Sequence, residues 1–302
     1  MQNRFPANRL LSDPLRIPLE QAVSAHLGRE WKVSDLKDLR DYACHPAAIL
    51  TDGSYAVFAK LSDAANGLEQ FEIELAGLGL LSECSGVRTP TPIGIVPVEG
   101  AVWMVFEAVQ EVSRESRHWR QIGRALAQIH KVKGERYGLE SQGYLGPLYQ
   151  DNRPMHDWTT FFAERRLWPR LVGACDSGNL PGELVRQVER LIARLPDLLG
   201  SPALPALLHG DAQQNNFIST EAGVVVIDPA VFYGDPEYDL AFLDYFQPVP
   251  EDVFLGYQEV LPIDVDFWER RDLYRVYGYL AAVTVEGAVH LDKLVRTLQR
   301  YS

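Results

Sequence analysis

Leu208-His209-Gly210-Asp211-Ala212-Gln213-Gln214-Asn215-Asn216-Phe217-Ile218, followed by Val224-Val225-Val226-Ile227-Asp228-Pro229, is the most informative stretch of this chain. It places one carboxylate, Asp211, in a loop after a short apolar segment. An amide, Asn216, follows in the same loop, and a second carboxylate, Asp228, closes a β-branched run that reads as a strand. Each piece alone is ordinary. His-Gly-Asp is a common turn, and an Asp at a strand end is often a cap. In this order and spacing they match what phosphoryl transfer requires: a carboxylate to orient the attacking hydroxyl, and oxygen ligands to hold magnesium on the phosphates.

That chemistry also needs a phosphate-binding lysine on a strand, paired with a glutamate from the next helix. Tyr55 to Leu61 is a short strand pattern after the turn signal Asp52-Gly53, and Lys60 stands at its end. Phe71 to Leu81 is a helix pattern with Phe71, Leu75, Leu78 and Leu81 on one face. The helix carries Glu72 and Glu74. Glu74 is preferred, because Leu78 four residues on would anchor its turn to the core; Glu72 stays open.

Further outward, Ala101 to Phe106 reads as a buried strand. Beyond residue 110 the pattern is mainly helical. Ile122, Ala125, Leu126 and Ile129 form one stripe. Trp158, Phe161 and Phe162 begin another helix, which Pro169 should end or kink. Leu184, Val188, Leu191 and Leu195 form a third stripe, and more helices are expected from about Pro236 onward. A small α/β half followed by a larger helical half suggests an α+β fold of two lobes with a cleft between them. The boundary is set at residues 1–107 for a nucleotide-binding lobe and 108–302 for a catalytic and substrate-binding lobe.

Bulk composition excludes several other classes. The 302 residues suffice for a sizeable core, with 46% hydrophobic and 23% charged residues. No run of about 20 apolar residues suggests a membrane span, and the N-terminus lacks the apolar run of a secretory signal. Cys44, Cys84 and Cys175 are far apart and show no zinc spacing. A reducing cytoplasm is the expected location. A net charge of −12 argues against nucleic acid as a partner.

With these residues in view, the His-Gly-Asp and Ile-Asp-Pro elements resemble the aminoglycoside phosphotransferase and choline kinase superfamily. Four segments look more closely like the fructosamine/ketosamine kinase family: Phe71-Glu-Ile-Glu-Leu-Ala-Gly-Leu78, Phe161-Phe-Ala-Glu-Arg-Arg-Leu167 with Pro169, Asp228-Pro-Ala-Val-Phe-Tyr-Gly234, and Asp235-Pro-Glu-Tyr-Asp-Leu-Ala241. The resemblance implies a protein-kinase-like fold and the cofactors ATP and Mg2+. It makes Asp211 the catalytic Asp, Asn216 and Asp228 the magnesium ligands, and Lys60 the contact to the ATP phosphates. Glu107 to Val109 would be the hinge whose backbone pairs with adenine, and His209 a turn residue rather than a catalyst. The implied substrate is an amine-bearing sugar or a glycated protein, whose phosphorylated adduct can decompose and release the amine. A kinase of another amino-alcohol and a nucleotide-binding pseudokinase are the alternatives.

Two departures from the family pattern stand out. The family usually has glycines in the loop before the lysine strand, where backbone N–H groups approach phosphate; here the segment is Ala43-Cys44-His45-Pro46-Ala47-Ala48-Ile49-Leu50. The family usually has a Leu-Trp pair after the catalytic Asp, and here Ala212 and Gln213 stand there. Cys44, close to this loop and to Lys60, is a candidate oxidisable thiol.

Overall fold

A computed structural model of the protein describes residues 10–39 and 45–301; Cys44 and its proposed redox role lie outside them. Chain order begins with helix α1 (Asp13–Leu27), strands β1 (Asp35–Asp38), β2 (Ala47–Thr51) and β3 (Ala56–Ser62), helix α2 (Gly67–Ser85), and strands β4 (Pro92–Val98) and β5 (Ala101–Glu107). The strands form an antiparallel sheet in the order β1-β2-β3-β5-β4. Alternation along the two central strands gives the sheet its two covered faces. Val57, Ala59 and Leu61 of β3 and Trp103 and Val105 of β5 join Leu15, Leu19 and Val23 of α1. Val102, Met104 and Phe106 of β5 turn the other way, onto Phe71 and Leu78 of α2. Lys60 sits out of phase with Ala59 and Leu61, so the pleat directs it to the α2 face. Helix α2 extends beyond the 71–81 pattern at both ends.

Helix α3 (Ser116–Lys131) opens the second half. After it come the hairpin β6 (Gly143–Leu145) and β7 (Leu148–Gln150), then α4 (Trp158–Phe161), a π-helical turn (Phe162–Leu167) and α5 (Trp168–Asp176). Pro169 therefore does not end the helix, the first of the two outcomes expected from the sequence. It stands in the first turn of α5, and the preceding π-turn resets the hydrogen-bond ladder where its missing N–H would otherwise break it. Within that turn Arg166 is fully buried, flat against the rings of Phe161 and Phe232, and donates to Asn152 Oδ1 at 2.6 Å. Its role in this segment is packing.

Helices α6 (Gly182–Ala193) and α7 (Leu195–Leu198) precede four short strands: β8 (Ala206–Leu208), β9 (Phe217–Thr220), β10 (Gly223–Val226) and β11 (Phe232–Gly234). β8 pairs with β11, and β9 with β10. Helices α8 (Pro236–Phe242), α9 (Asp252–Gln258), α10 (Phe267–Glu286) and α11 (Leu291–Arg300) complete the chain. One large apolar core unites these elements, with Trp158, Phe162, Tyr238 and Tyr274 among its buried rings.

Helices α3 and α9 touch backbone to backbone. A Cβ on Gly123 would lie 1.9 Å from Val253 O, and one on Gly256 would lie 2.2 Å from Arg120 O. No rotamer relieves a clash with a carbonyl. Gly123→Ala should therefore cost about 3 kcal/mol, seen as a drop in Tm of roughly 5–10 °C. Gly79→Ala is the control: its Cβ on α2 would meet nothing within 4 Å, and the helix gains propensity. Equal melting temperatures for the two variants would contradict the close crossing.

Candidate active site

The loop after β8 is held by contacts that only the fold brings together. The Asp239 carboxylate on α8 accepts the backbone N–H groups of His209 (2.6 Å) and Gly210 (3.0 Å). His130 on α3 meets the same carboxylate at 3.1 Å, and its other ring nitrogen meets Tyr257 at 2.9 Å. All three side chains are buried. Gly210 has φ +82, and a Cβ there would lie 2.0 Å from Ala230 O, so only glycine fits the turn. His209 Nε2 lies 2.9 Å from Ile227 O and its Nδ1 accepts the N–H of Asp211. Burial lowers the His209 pKa, and the ring serves neutral as a turn support.

Asp211 projects from this loop, half-buried. Asn216 Nδ2 donates to Asp211 O at 2.8 Å and to Oδ2 at 3.0 Å. Gln213 Nε2 lies 3.1 and 3.3 Å from the two carboxylate oxygens. Burial pushes the Asp211 carboxyl up to about 6, against the pull of these two amides. Ile227 donates its N–H to Asn216 O at 3.0 Å, and Ala230 to His209 O at 2.8 Å, so the loop and residues 227–230 move as one piece.

β10 stops at Val226, and Asp228 lies two residues beyond the strand rather than ending it. It is the one non-glycine residue with positive φ among the described residues (φ 52). Such backbone strain is held by surrounding structure and concentrates at working sites. The turn presents the carboxylate to Lys60 Nζ, with which it pairs. Lys60 is 4% exposed and also reaches Glu74 at 2.7 Å, so Glu74 and not Glu72 meets the lysine. Burial would lower the Lys60 pKa, but Asp228 and Glu74 outweigh it and hold it above its ordinary value. Burial pushes Glu74 up to about 7 despite Lys60. For Asp228 the lysine prevails over burial and keeps the carboxyl low. Three groups from β3, α2 and the turn after β10 thus converge on one charge cluster.

Two further features border the cluster. His45 stacks edge-on against Phe71 at 5.2 Å; burial and the Lys60 charge bring its pKa down to about 4, so the ring is neutral. Glu107 closes β5, and its carboxylate accepts Tyr55 OH at 2.8 Å. Its N–H bonds Thr91 O, and that of Ala108 bonds Ala56 O. Val109 N–H donates to no acceptor among the described residues.

A strand lysine, its helix glutamate, a turn Asp paired with that lysine, and a loop Asp-Asn pair tied by hydrogen bonds to residues 227–230 are the parts of a phosphotransferase. The family model for fructosamine kinase matches residues 18–302. The chain belongs to the fructosamine kinase family. A curated relative named as a probable ketoamine kinase, from Pasteurella multocida, is 29% identical over 266 residues, covering 87% of this chain and 90% of that one. A solved structure assigned as a fructosamine-3-kinase, from Thermobifida fusca, superposes with a TM-score of 0.81 at 30% identity, covering 93% and 97% of the two chains. An aminoglycoside phosphotransferase structure, with a TM-score of 0.60 and 13% identity over 94% of this chain and 99% of its own, shares the fold alone. The architecture is therefore the protein-kinase-like, two-lobed α+β fold, and the protein is an ATP-dependent phosphotransferase of the fructosamine kinase family. No helix among the described residues is long and apolar enough to cross a membrane.

Asp239, His130 and Gln213 were missed as site-forming residues. The Asp-Leu-Ala run around Asp239 was noticed only for its resemblance, and the Ala-Gln pair only as a departure.

Proposed function

We propose that the protein transfers the γ-phosphoryl group of ATP to a sugar hydroxyl of a ketosamine, either a small glycated amine or a glycated protein. This reading is supported by the hydrogen bonds that join the Asp211 loop to residues 227–230, and by the Lys60–Glu74–Asp228 cluster there, in a chain of this family. Ionised Asp211 accepts the hydroxyl proton as the oxygen forms its bond to the γ-phosphorus and the bond to the ADP oxygen breaks. Lys60, oriented by Glu74, contacts the phosphates. The backbone at Glu107 to Val109 pairs with adenine, and the open N–H of Val109 suits that use. The lobes meet after residue 107, and the cytoplasm is the location the reading assumes.

The donor set fits Mg2+. Asp228 supplies a carboxylate, and Asn216, whose nitrogen is committed to Asp211, turns its amide oxygen the other way. Mg2+ is commonly held by one or two protein oxygens plus substrate phosphates. Bound there, the ion would neutralise charge on the phosphates.

A base with a free-enzyme pKa of about 6 must be deprotonated to act. The acceptor kcat/KM should therefore hold above that pH and fall about tenfold per unit below it. An acceptor kcat/KM that shows no fall at all on the acid side would remove Asp211 from the role. The substrate reading is tested by an ATP-consumption screen against glycated amino acids, free amino sugars, aminoglycosides and choline. Ketosamines should lead; a clear preference for any other class would overturn the assignment.

A further inference from the structure

Gln213 occupies the open side of the Asp211 carboxylate. Its backbone is fixed on both sides: its own N–H bonds Asp211 O at 2.8 Å, and the next residue is clamped by Arg114, which donates to Gln214 O at 3.0 Å and to Phe217 O at 2.6 Å. The side chain is half-buried and forked across both carboxylate oxygens at 3.1 and 3.3 Å, long bonds that compete poorly with a well-aimed donor. Asn216, itself buried, donates to Oδ2 at 3.0 Å and to the Asp211 backbone O at 2.8 Å, and leaves Oδ1 to Gln213. Among the described residues only the Gln213 amide reaches Oδ1, so a substrate hydroxyl that bonds this oxygen takes the place of that amide or shares the oxygen with it. The fixed backbone keeps the displaced amide beside the reacting oxygen, where it carries both a donor and an acceptor.

We infer that Gln213 reads the acceptor, selecting substrates that carry a further hydroxyl next to the one phosphorylated. A polyhydroxy chain satisfies the displaced amide. A single-hydroxyl acceptor leaves it unpaired, and an unpaired amide in a partly closed site weakens binding. This rests on the ketosamine reading and deepens it: the sugar is recognised as a polyol through Gln213, at a position where the family usually places an aromatic residue.

The test compares wild type with Gln213→Leu and Gln213→Ala in the full chain. Calorimetry with a bound ATP analogue and Mg2+ measures Kd for fructosyl-lysine and for lysine bearing a single hydroxyethyl group on the same amine. Wild type should favour fructosyl-lysine by about tenfold or more. In both variants that preference should shrink by about tenfold through loss of fructosyl-lysine affinity, with the analogue's own Kd within about twofold of wild type as the sign of an intact fold. An unchanged preference, or equal weakening of both acceptors, would overturn the inference and leave the ketosamine reading standing. Wild-type enzyme that neither binds nor phosphorylates fructosyl-lysine would end that reading, and the inference with it.

Discussion

Asp211→Asn should leave the protein folded, keep ATP affinity within about twofold, and cut kcat by ~10²–10⁴, the scale of a lost general base. The substitution preserves the shape of the side chain. One oxygen remains to accept from Asn216 and Gln213, both of which reach Oδ2. What disappears is the capacity to take a proton from the attacking hydroxyl. The loss should fall on kcat rather than on the KM for ATP, because Asp211 makes no contact with Lys60, which pairs instead with Glu74 and Asp228. Turnover near the wild-type rate in a folded variant would remove Asp211 from the chemistry.

Lys60→Met should reduce kcat/KM for ATP by about 10²–10³-fold, on the scale of losing one fixed charge opposite developing phosphate charge. It should also destabilise the protein. Lys60 is buried and pairs with both Glu74 and Asp228; removing it leaves Glu74 enclosed without this counter-charge, a loss of about 3 kcal/mol. The two effects separate in the double variant. Lys60→Met with Glu74→Gln should recover much of the melting temperature and none of the activity. If restoring stability also restores turnover, the lysine is a structural ion-pair partner and not a phosphate contact.

Legibility followed sequence distance. Asp211, Asn216 and Asp228 stand within one short stretch, so their order alone suggested the chemistry. Lys60 and Glu74 are farther apart, but strand and helix periodicity each limit where a side chain can point, and Leu78 marked the buried face of α2. Asp239 could not be found that way. It acts on His209 and Gly210 across a fold contact, and its partner His130 lies on a helix far earlier in the chain. An apolar-flanked Asp gives no local sign that its carboxylate ties down a loop. Helix α1 went unremarked although Leu15, Leu19 and Val23 repeat at helical spacing, because Pro14 and Pro18 obscure the pattern. Pro14 falls in the first turn, where proline is tolerated, and the helix continues past Pro18. Pro169 misled for a related reason: a π-turn absorbs what an unbroken α-helical ladder could not. The glycine-poor nucleotide loop was seen as a departure, but the neutral His45 ring beside Phe71 depends on a contact that the sequence does not announce.

Transfer of a phosphoryl group from ATP to the sugar of a ketosamine can be followed directly. The most direct measurement incubates the purified full chain with ATP, Mg2+ and fructosyl-lysine, and follows ADP release together with the mass and phosphorus resonance of the acceptor. One phosphoryl group should appear on a sugar hydroxyl oxygen for each ADP released, at a rate cut at least about a hundredfold in Asp211→Asn. ADP release without phosphorylated fructosyl-lysine, or an acceptor phosphorylated equally well by the Asp211→Asn variant, would contradict this expectation.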